Sequence, residues 1–266
     1  MRHLTRSFTH RSTDLRELMD DPNCDPVMLR RTLRRFALVN RLVAGWGRTY
    51  RTHLRPALSA LQSTSHPTRI LDIGTGGGDV LRHVVRLASR DGFSVQGIGI
   101  DPDERAISAA LSREPQNVTF RLADTRTLLN RGEQYDIVIS NHLLHHLPDF
   151  SVIDESRQLA SHLIVHSDIA RSQAAYLSYA VGITPFAPGS FLRTDGLRSI
   201  RRSFTADELR AALCHDTRAD RHVQRPPVWR VEQPTALRLL AVSTGFGGAI
   251  RSGHDSSTPR SSSRHR

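Results

Sequence analysis

The chain has 266 residues, with 37 basic residues (every one an arginine), 26 acidic residues and 14 histidines, for a formal net charge of +11. That length supports one sizeable core, and no run of 18 apolar residues is present to make a membrane-spanning helix. Two cysteines, Cys24 and Cys214, neither in a C-x-x-C pair, give no disulfide framework and no structural zinc site, which fits a reducing cytoplasm. The charge is segregated: net +8 over residues 1–69, −5 over 70–168 and +8 over 169–266. Basic flanks around an acidic centre favour an acidic small molecule, an anionic membrane surface or a nucleic acid as partner.

Residues 1–69 read as helical. Asp25 and Pro26 make a helix start, and apolar residues then recur at Leu29, Leu33, Phe36 and Val43, with Arg30, Arg31, Arg34, Arg35 and Arg41 mostly opposite. Gly45 and Gly47 end this amphipathic helix, and another is expected from about Arg48 to Leu61. Residues 70–168 alternate strand and helix. Strands are expected at Ile70–Ile73, in VQGIGID up to Asp101, just before Asp124, at Tyr135–Ser140 and at His162–His166. That alternation predicts an α/β fold with a doubly wound, Rossmann-like parallel sheet covered by helices on both faces. Residues 169–227 read as an inserted helical cap whose last helix opens with the capping-box pattern Thr205-Ala-Asp-Glu208. VWRVEQ and LRLLAV then supply two more strands as a hairpin, and residues 243–266, rich in Gly, Ser, Arg and His, are expected to be disordered. The expected organisation is therefore a helical lid (1–69), an α/β domain (70–242, with the cap at 169–227) and a tail (243–266).

The most informative segment is ILDIGTGGGD, Ile70 to Asp79: a short apolar strand running into a glycine-rich turn and a helix. Glycines there let the backbone turn tightly and approach a ligand. Asp72 sits at the strand end, and Asp101 closes the next strand 23 residues after Gly78, where an acid suits two ribose hydroxyls. The G-x-G-x-x-G spacing of dinucleotide sites is not kept, because its last glycine would fall on Asp79. The pattern Asp72-x-Gly74-x-Gly76-x-Gly78, followed in order by Asp101, by RLADTRTL with Asp124 and by YDIVISNHLLHHLPD, resembles the motifs of class I S-adenosylmethionine (SAM) methyltransferases. The resemblance implies SAM as cofactor. It places Gly74, Gly76 and Gly78 under the methionine and ribose parts, Asp101 on the ribose hydroxyls, Asp124 on the adenine amino group, and Asn141 beside the methyl group. Each acid also fits a helix N-cap. Asp168, at the end of the fifth strand, is a further candidate contact.

Transfer of a methyl group to a hydroxyl needs alignment, exclusion of water and a free lone pair, which a base of near-neutral pKa can provide. His145 and His146, in the turn after the fourth strand, are the candidate bases; packing or capping of that turn is the alternative. No metal ligand set is expected. Outside the core, LMDDPNCDPVMLRRTLRRFALVNRLVAGW, SDIARSQAAYL and GSFLRTDGLRSIRRSFTADEL resemble small bacterial methyltransferases associated with type III polyketide synthases. That resemblance implies a phenolic or enolic, polyketide- or quinone-like acceptor, methylated on oxygen. Arg193, Arg198, Arg201 and Arg202 are candidates to hold a phenolate. The basic helix could touch a membrane surface, although its apolar face equally suits packing on the domain. The readings kept beside this one are a quinone-type C-methyltransferase, an RNA methyltransferase using the basic flanks on phosphates, and a non-catalytic SAM-binding protein. Few aromatics in the basic regions argue against nucleic acid.

Overall fold

A computed structural model of the chain describes residues 8–43, 45–62, 66–112, 117–216 and 228–244. Seven strands form one sheet in the order β3-β2-β1-β4-β5-β7-β6. Strands β1 (Thr68–Ile73), β2 (Val95–Asp101), β3 (Val118–Leu122), β4 (Tyr135–Asn141) and β5 (Ala160–Ile169) run parallel. β6 (Trp229–Thr235) and β7 (Arg238–Thr244) form an antiparallel hairpin, and β7 pairs with β5. β1, β2, β4 and β5 are mostly buried on both faces, which is why they read as apolar runs, whereas the edge strand β3 is buried only at Val118.

One face carries α2 (Trp46–Thr49), a π-helical turn (Tyr50–Leu54), α3 (Arg55–Leu61) and α4 (Asp79–Arg90). Trp46, Tyr50, Leu54, Leu58, Leu81 and Val85 pack there on Ile70, Ile137 and Val165. The opposite face carries α6 (Thr125–Asn130) and α7 (Ser151–Leu159), with Leu128 and Leu159 on Leu71, Ile98 and Val138. α5 (Glu104–Leu111) follows β2. The expected doubly wound architecture is the observed one.

α1 spans Pro26–Val43. Asp25 caps it, its Oδ1 accepting from the N–H groups of Val27 (2.7 Å) and Met28 (3.1 Å). Leu29 and Leu33 are buried against Phe191, so this part of the apolar stripe is used in packing within the protein. The next helix starts at Trp46 rather than Arg48, because Gly45 takes the left-handed turn alone. β5 extends well beyond the expected His162–His166 and contains Asp168. The cap consists of α8 (Gln173–Gly182), α9 (Leu192–Arg202) and α10 (Ala206–Asp216). The capping box forms: the Thr205 N–H donates to Glu208 Oε2 at 2.9 Å and the Glu208 N–H to Thr205 Oγ1 at 3.3 Å.

A tail beginning at Ser243 is corrected by the hairpin. Ser243 pairs with Ile164 and Trp229 and is 1% exposed, and β7 runs on to Thr244. The rest of the expected tail, 245–266, lies outside the described residues. Of the N-terminal region, residues 8–24 are strapped across the cap. The Ser12 N–H donates to the Arg201 carbonyl (3.0 Å), and the N–H groups of Leu18 and Met19 donate to the two Asp195 carboxylate oxygens (2.8 and 3.0 Å). No helix among the described residues is long and apolar enough to cross a membrane.

Candidate active site

A cavity of about 180 Å³ opens at the carboxyl ends of β1, β4 and β5, where ligands bind in doubly wound sheets. Its floor is the glycine turn with Asp72, Gly74, Thr75, Gly76 and Gly77. Asn141, His142, His145 and His146 form a second wall, and Leu33, Phe36, Tyr179 and Ile200 of the lid and cap complete an apolar enclosure.

The turn is held from below. The Thr75 N–H donates to the Ile100 carbonyl (3.0 Å), and Arg82 donates to the Gly77 carbonyl (2.9 Å). The Asp101 carboxylate accepts from the N–H groups of Gly76 (3.0 Å) and Asp103 (2.9 Å), which ties β2 to the turn. A Cβ on Gly76 would meet nothing within 4 Å, and its φ is +53°. Gly78 differs: its φ is +71°, and a Cβ there would stand 2.4 Å from the Phe120 ring and 2.7 Å from Arg82. Gly78 does not line the cavity. The lack of a Cβ there is required by helix–sheet packing.

Asp72 is 1% exposed. Its Oδ2 accepts from Thr75 Oγ1 (2.8 Å), while Oδ1 is buried without a hydrogen-bond partner. Burial pushes its pKa up to about 8, so a positive group brought alongside would be strongly favoured. Asn141 lines the cavity and is fixed by Trp46, whose Nε1 donates to its Oδ1 at 2.9 Å. Asp124 stands apart. It is exposed, lies outside the cavity lining, and caps α6 by accepting from Thr127 N–H at 2.8 Å, so the capping alternative describes its observed contacts.

The histidines differ among themselves. His145 is 2% exposed. Its Nδ1 lies 2.7 Å from Asp168 Oδ1, its backbone N–H donates to Asp168 Oδ2 (2.8 Å), and its Nε2 faces Glu17 Oε1 at 3.3 Å. Burial alone would lower its pKa, but the two carboxylates outweigh burial and raise it to about 9. Burial likewise opposes ionisation of Glu17, yet the close contact with His145, the charge of His146 and the hydrogen bond from Ser199 bring that carboxyl down to about 2. His145 therefore lies between two carboxylates that favour its protonated form. His146 is half-buried, with Nε2 3.6 Å from Glu17 Oε1 and Nδ1 3.5 Å from Asp20 Oδ2. His142 faces the cavity with φ +57°, and burial of its ring pushes its pKa down to about 4, leaving it neutral. Glu17, His145 and His146 each offer one ligand atom within 4.8 Å of one another, a grouping that could hold a metal ion.

Sequence reasoning missed Glu17, which comes from an irregular segment without periodicity, and Arg238, hidden in a strand pattern. The arginines expected to hold a phenolate are elsewhere. Arg193 donates to the Ala180 carbonyl and Thr184, Arg198 to the Arg16 carbonyl, and Arg202 lies near Glu17 and Asp20. None of these, nor Arg201, lines the cavity.

The family model described as a methyltransferase domain matches residues 44–216. Among curated proteins, the chain is 31% identical over 87 residues to a ubiquinone biosynthesis O-methyltransferase of Bartonella tribocorum, covering 32% of this chain and 33% of the relative. It is 37% identical over 93 residues to a ribosomal protein L11 methyltransferase of Geobacter sulfurreducens, covering 35% and 29%. The chain thus spans about a third of the length of the curated relatives it matches. Among solved structures, it resembles the plantazolicin methyltransferase BpumL in complex with a pentazolic desmethylPZN analog and SAH (TM-score 0.56, 14% identity, 82% of this chain and 96% of that one). It also resembles BamL with a triazolic analog and SAH (0.54, 15%, 82% and 96%). At these identities the likeness is one of fold.

Proposed function

Because the chain belongs to the methyltransferase domain family, we propose that it transfers a methyl group from SAM to an oxygen of a phenolic or enolic small molecule, polyketide- or quinone-like in character. The observation that carries this reading is that one apolar-roofed cavity joins the glycine turn to the histidine wall.

The residues of the turn fit the cofactor. Asp72 has a buried carboxylate oxygen without a partner, suited to a ligand ammonium. Gly76 leaves open space where a side chain would intrude, and Asp101 sits half-buried at the end of β2 beside it, placed for ribose hydroxyls. Asn141 borders the far side. When bound, SAM supplies a methyl group already activated on a sulfonium. What the chain adds is alignment, exclusion of water by Leu33, Phe36 and Ile200, and management of one proton. His146 is the proposed base. It lines the cavity, and the charge it would gain on taking the acceptor's hydroxyl proton is met by Glu17 and Asp20. His145, already protonated, is a positioning residue that fixes the turn and Glu17.

The ubiquinone-pathway relatives support oxygen as the methylated atom. The L11 relative acts on a protein, so macromolecular acceptors are the second arm of the test. Purified protein is incubated with labelled SAM and either hydroxylated aromatics or total protein and RNA. Label in an O-methyl ether supports the reading; label only in a macromolecule overturns it.

A further inference from the structure

Arg238 opens β7, and its guanidinium is unusually placed. The residue is 5% exposed, yet it lines the cavity beside Asn141, His142 and Ile169. Nε donates to Ser167 Oγ at 2.9 Å, and Cζ lies 5.6 Å from the centroid of the Trp46 ring. Nη2 is buried without a hydrogen-bond partner. Among the described residues no carboxylate forms an ion pair with it. Glu232, an acid lining the adjoining small pocket with Arg238, is engaged by His53 at 3.2 Å and by Arg230 at 3.9 Å. Proteins rarely bury a cation unless it is paired, because desolvation is then uncompensated. Here burial lowers the pKa to about 10 with no acid to oppose it, and the group still stays charged near neutrality.

The counter-ion is therefore expected from the cavity. Its position also says which ligand brings it. The Ser167 that Arg238 engages belongs to β5, two strands from the β1 glycine turn, or about 10 Å at ordinary strand spacing. That is the acceptor's half of the cavity. Building on the methyltransferase reading above, we propose that Arg238 is a specificity residue that pairs with a carboxylate carried by the acceptor, so that the preferred substrates are hydroxylated aromatic or enolic acids. A guanidinium presents parallel N–H donors that match a planar two-oxygen group.

The test uses the full chain and two probes, 4-hydroxybenzoate and its methyl ester, with Arg238→Gln and Arg238→Lys variants. Binding is measured by calorimetry with SAH present. A charge-assisted pair is typically worth about 10- to 100-fold in affinity. The wild type should bind the acid tighter than the ester by that margin. Arg238→Gln should lose the preference and bind the ester as before, Arg238→Lys should regain part of it, and SAM affinity should not change. Arg238→Gln should also melt no lower than the wild type, since an uncompensated buried charge has been removed. Equal binding of acid and ester by the wild type, a loss of SAM affinity in Arg238→Gln, or failure of that variant to fold would each overturn the assignment. The last two would make Arg238 a cofactor partner or a structural group. Methyl transfer is read separately: discrimination in binding without transfer to any hydroxylated acid would leave the subsite standing and sink the O-methylation reading instead.

Discussion

Glu17 and His145 meet in the cavity wall with polar atoms 3.3 Å apart, both almost wholly buried, and this contact ties the N-terminal strap to the turn after β4. Its stability has a defined pH window. His145 is raised from 6.5 to about 9, so its contribution is complete below pH ~6.5 and lost as pH rises through ~9. Glu17 is lowered from 4.5 to about 2, so its contribution is present above pH ~4.5 and lost as pH falls through ~2. The pair is strongest between these limits. Between pH 6.5 and 9, the melting temperature of the wild type should fall relative to that of His145→Gln. Parallel curves from melts at stepped pH would show that His145 carries no folded-state charge.

Asp101→Ala should weaken SAM binding. The carboxylate orders Gly76 directly and is offered to the ligand's hydroxyls, and hydrogen bonds to a charged group are worth about 1.5–3 kcal/mol each. A tenfold or greater rise in Kd is expected by calorimetry on a variant shown to be folded. Unchanged affinity would reject the ribose role.

Gly76 and Gly78, two of the three left-handed glycines of the turn, should separate in their effects. Gly76→Val places a branched side chain into open cavity space and strains the backbone at φ +53°, and should abolish cofactor binding, read on protein shown to be folded. Gly78→Ala drives a methyl group into Phe120 and Arg82, and should cost about 1–3 kcal/mol of stability in urea melts. If Gly78→Ala left stability intact but removed SAM binding, the packing role given to Gly78 would be wrong.

His146→Ala should lower turnover by about 10²–10⁴-fold at pH 7, as loss of a general base does, with SAM affinity unchanged. The deficit should shrink at higher pH or with a more acidic phenol, because such acceptors ionise unaided. Full activity of this variant across pH 6–9 would remove His146 from the chemistry. His145→Gln is expected to raise the acceptor KM through loosening of Glu17 more than it lowers kcat.

The half of the site proposed to bind cofactor was legible in the sequence because its residues are local: Asp72, Gly74 and Gly76 lie within one strand and turn, and Asp101 ends the next strand. Strand–helix alternation likewise gave the sheet, and the Thr205–Glu208 capping box formed as read. The acceptor's half was not legible. Glu17 reaches the cavity from an irregular strap with no periodic signal, and Trp46 reads as an ordinary core aromatic although its indole orients Asn141. Arg238 was one arginine among many in a chain with no lysine, and only the fold shows that it pairs with Ile169 of β5 and keeps a buried Nη2 without a hydrogen-bond partner. Asp124 shows the reverse: a residue in the right place in sequence order whose observed bonds are those of a helix cap.

The strap and the last hairpin bring Glu17 and Arg238 to the same cavity from opposite ends of the described chain. During synthesis, the glycine turn can form well before the cavity is closed, since closure waits for β7 to slot between β5 and β6. A fragment trimmed to residues 44–216, the span that matches the family, would keep Asp72, Gly74, Gly76 and Asp101 but lack Glu17, Leu33, Phe36 and Arg238. On the proposed assignment, the span that marks kinship carries the cofactor residues and His146, while Glu17 and Arg238 reach the same cavity from outside it, so the two ends are where the acceptor's surroundings can change without touching the glycine turn.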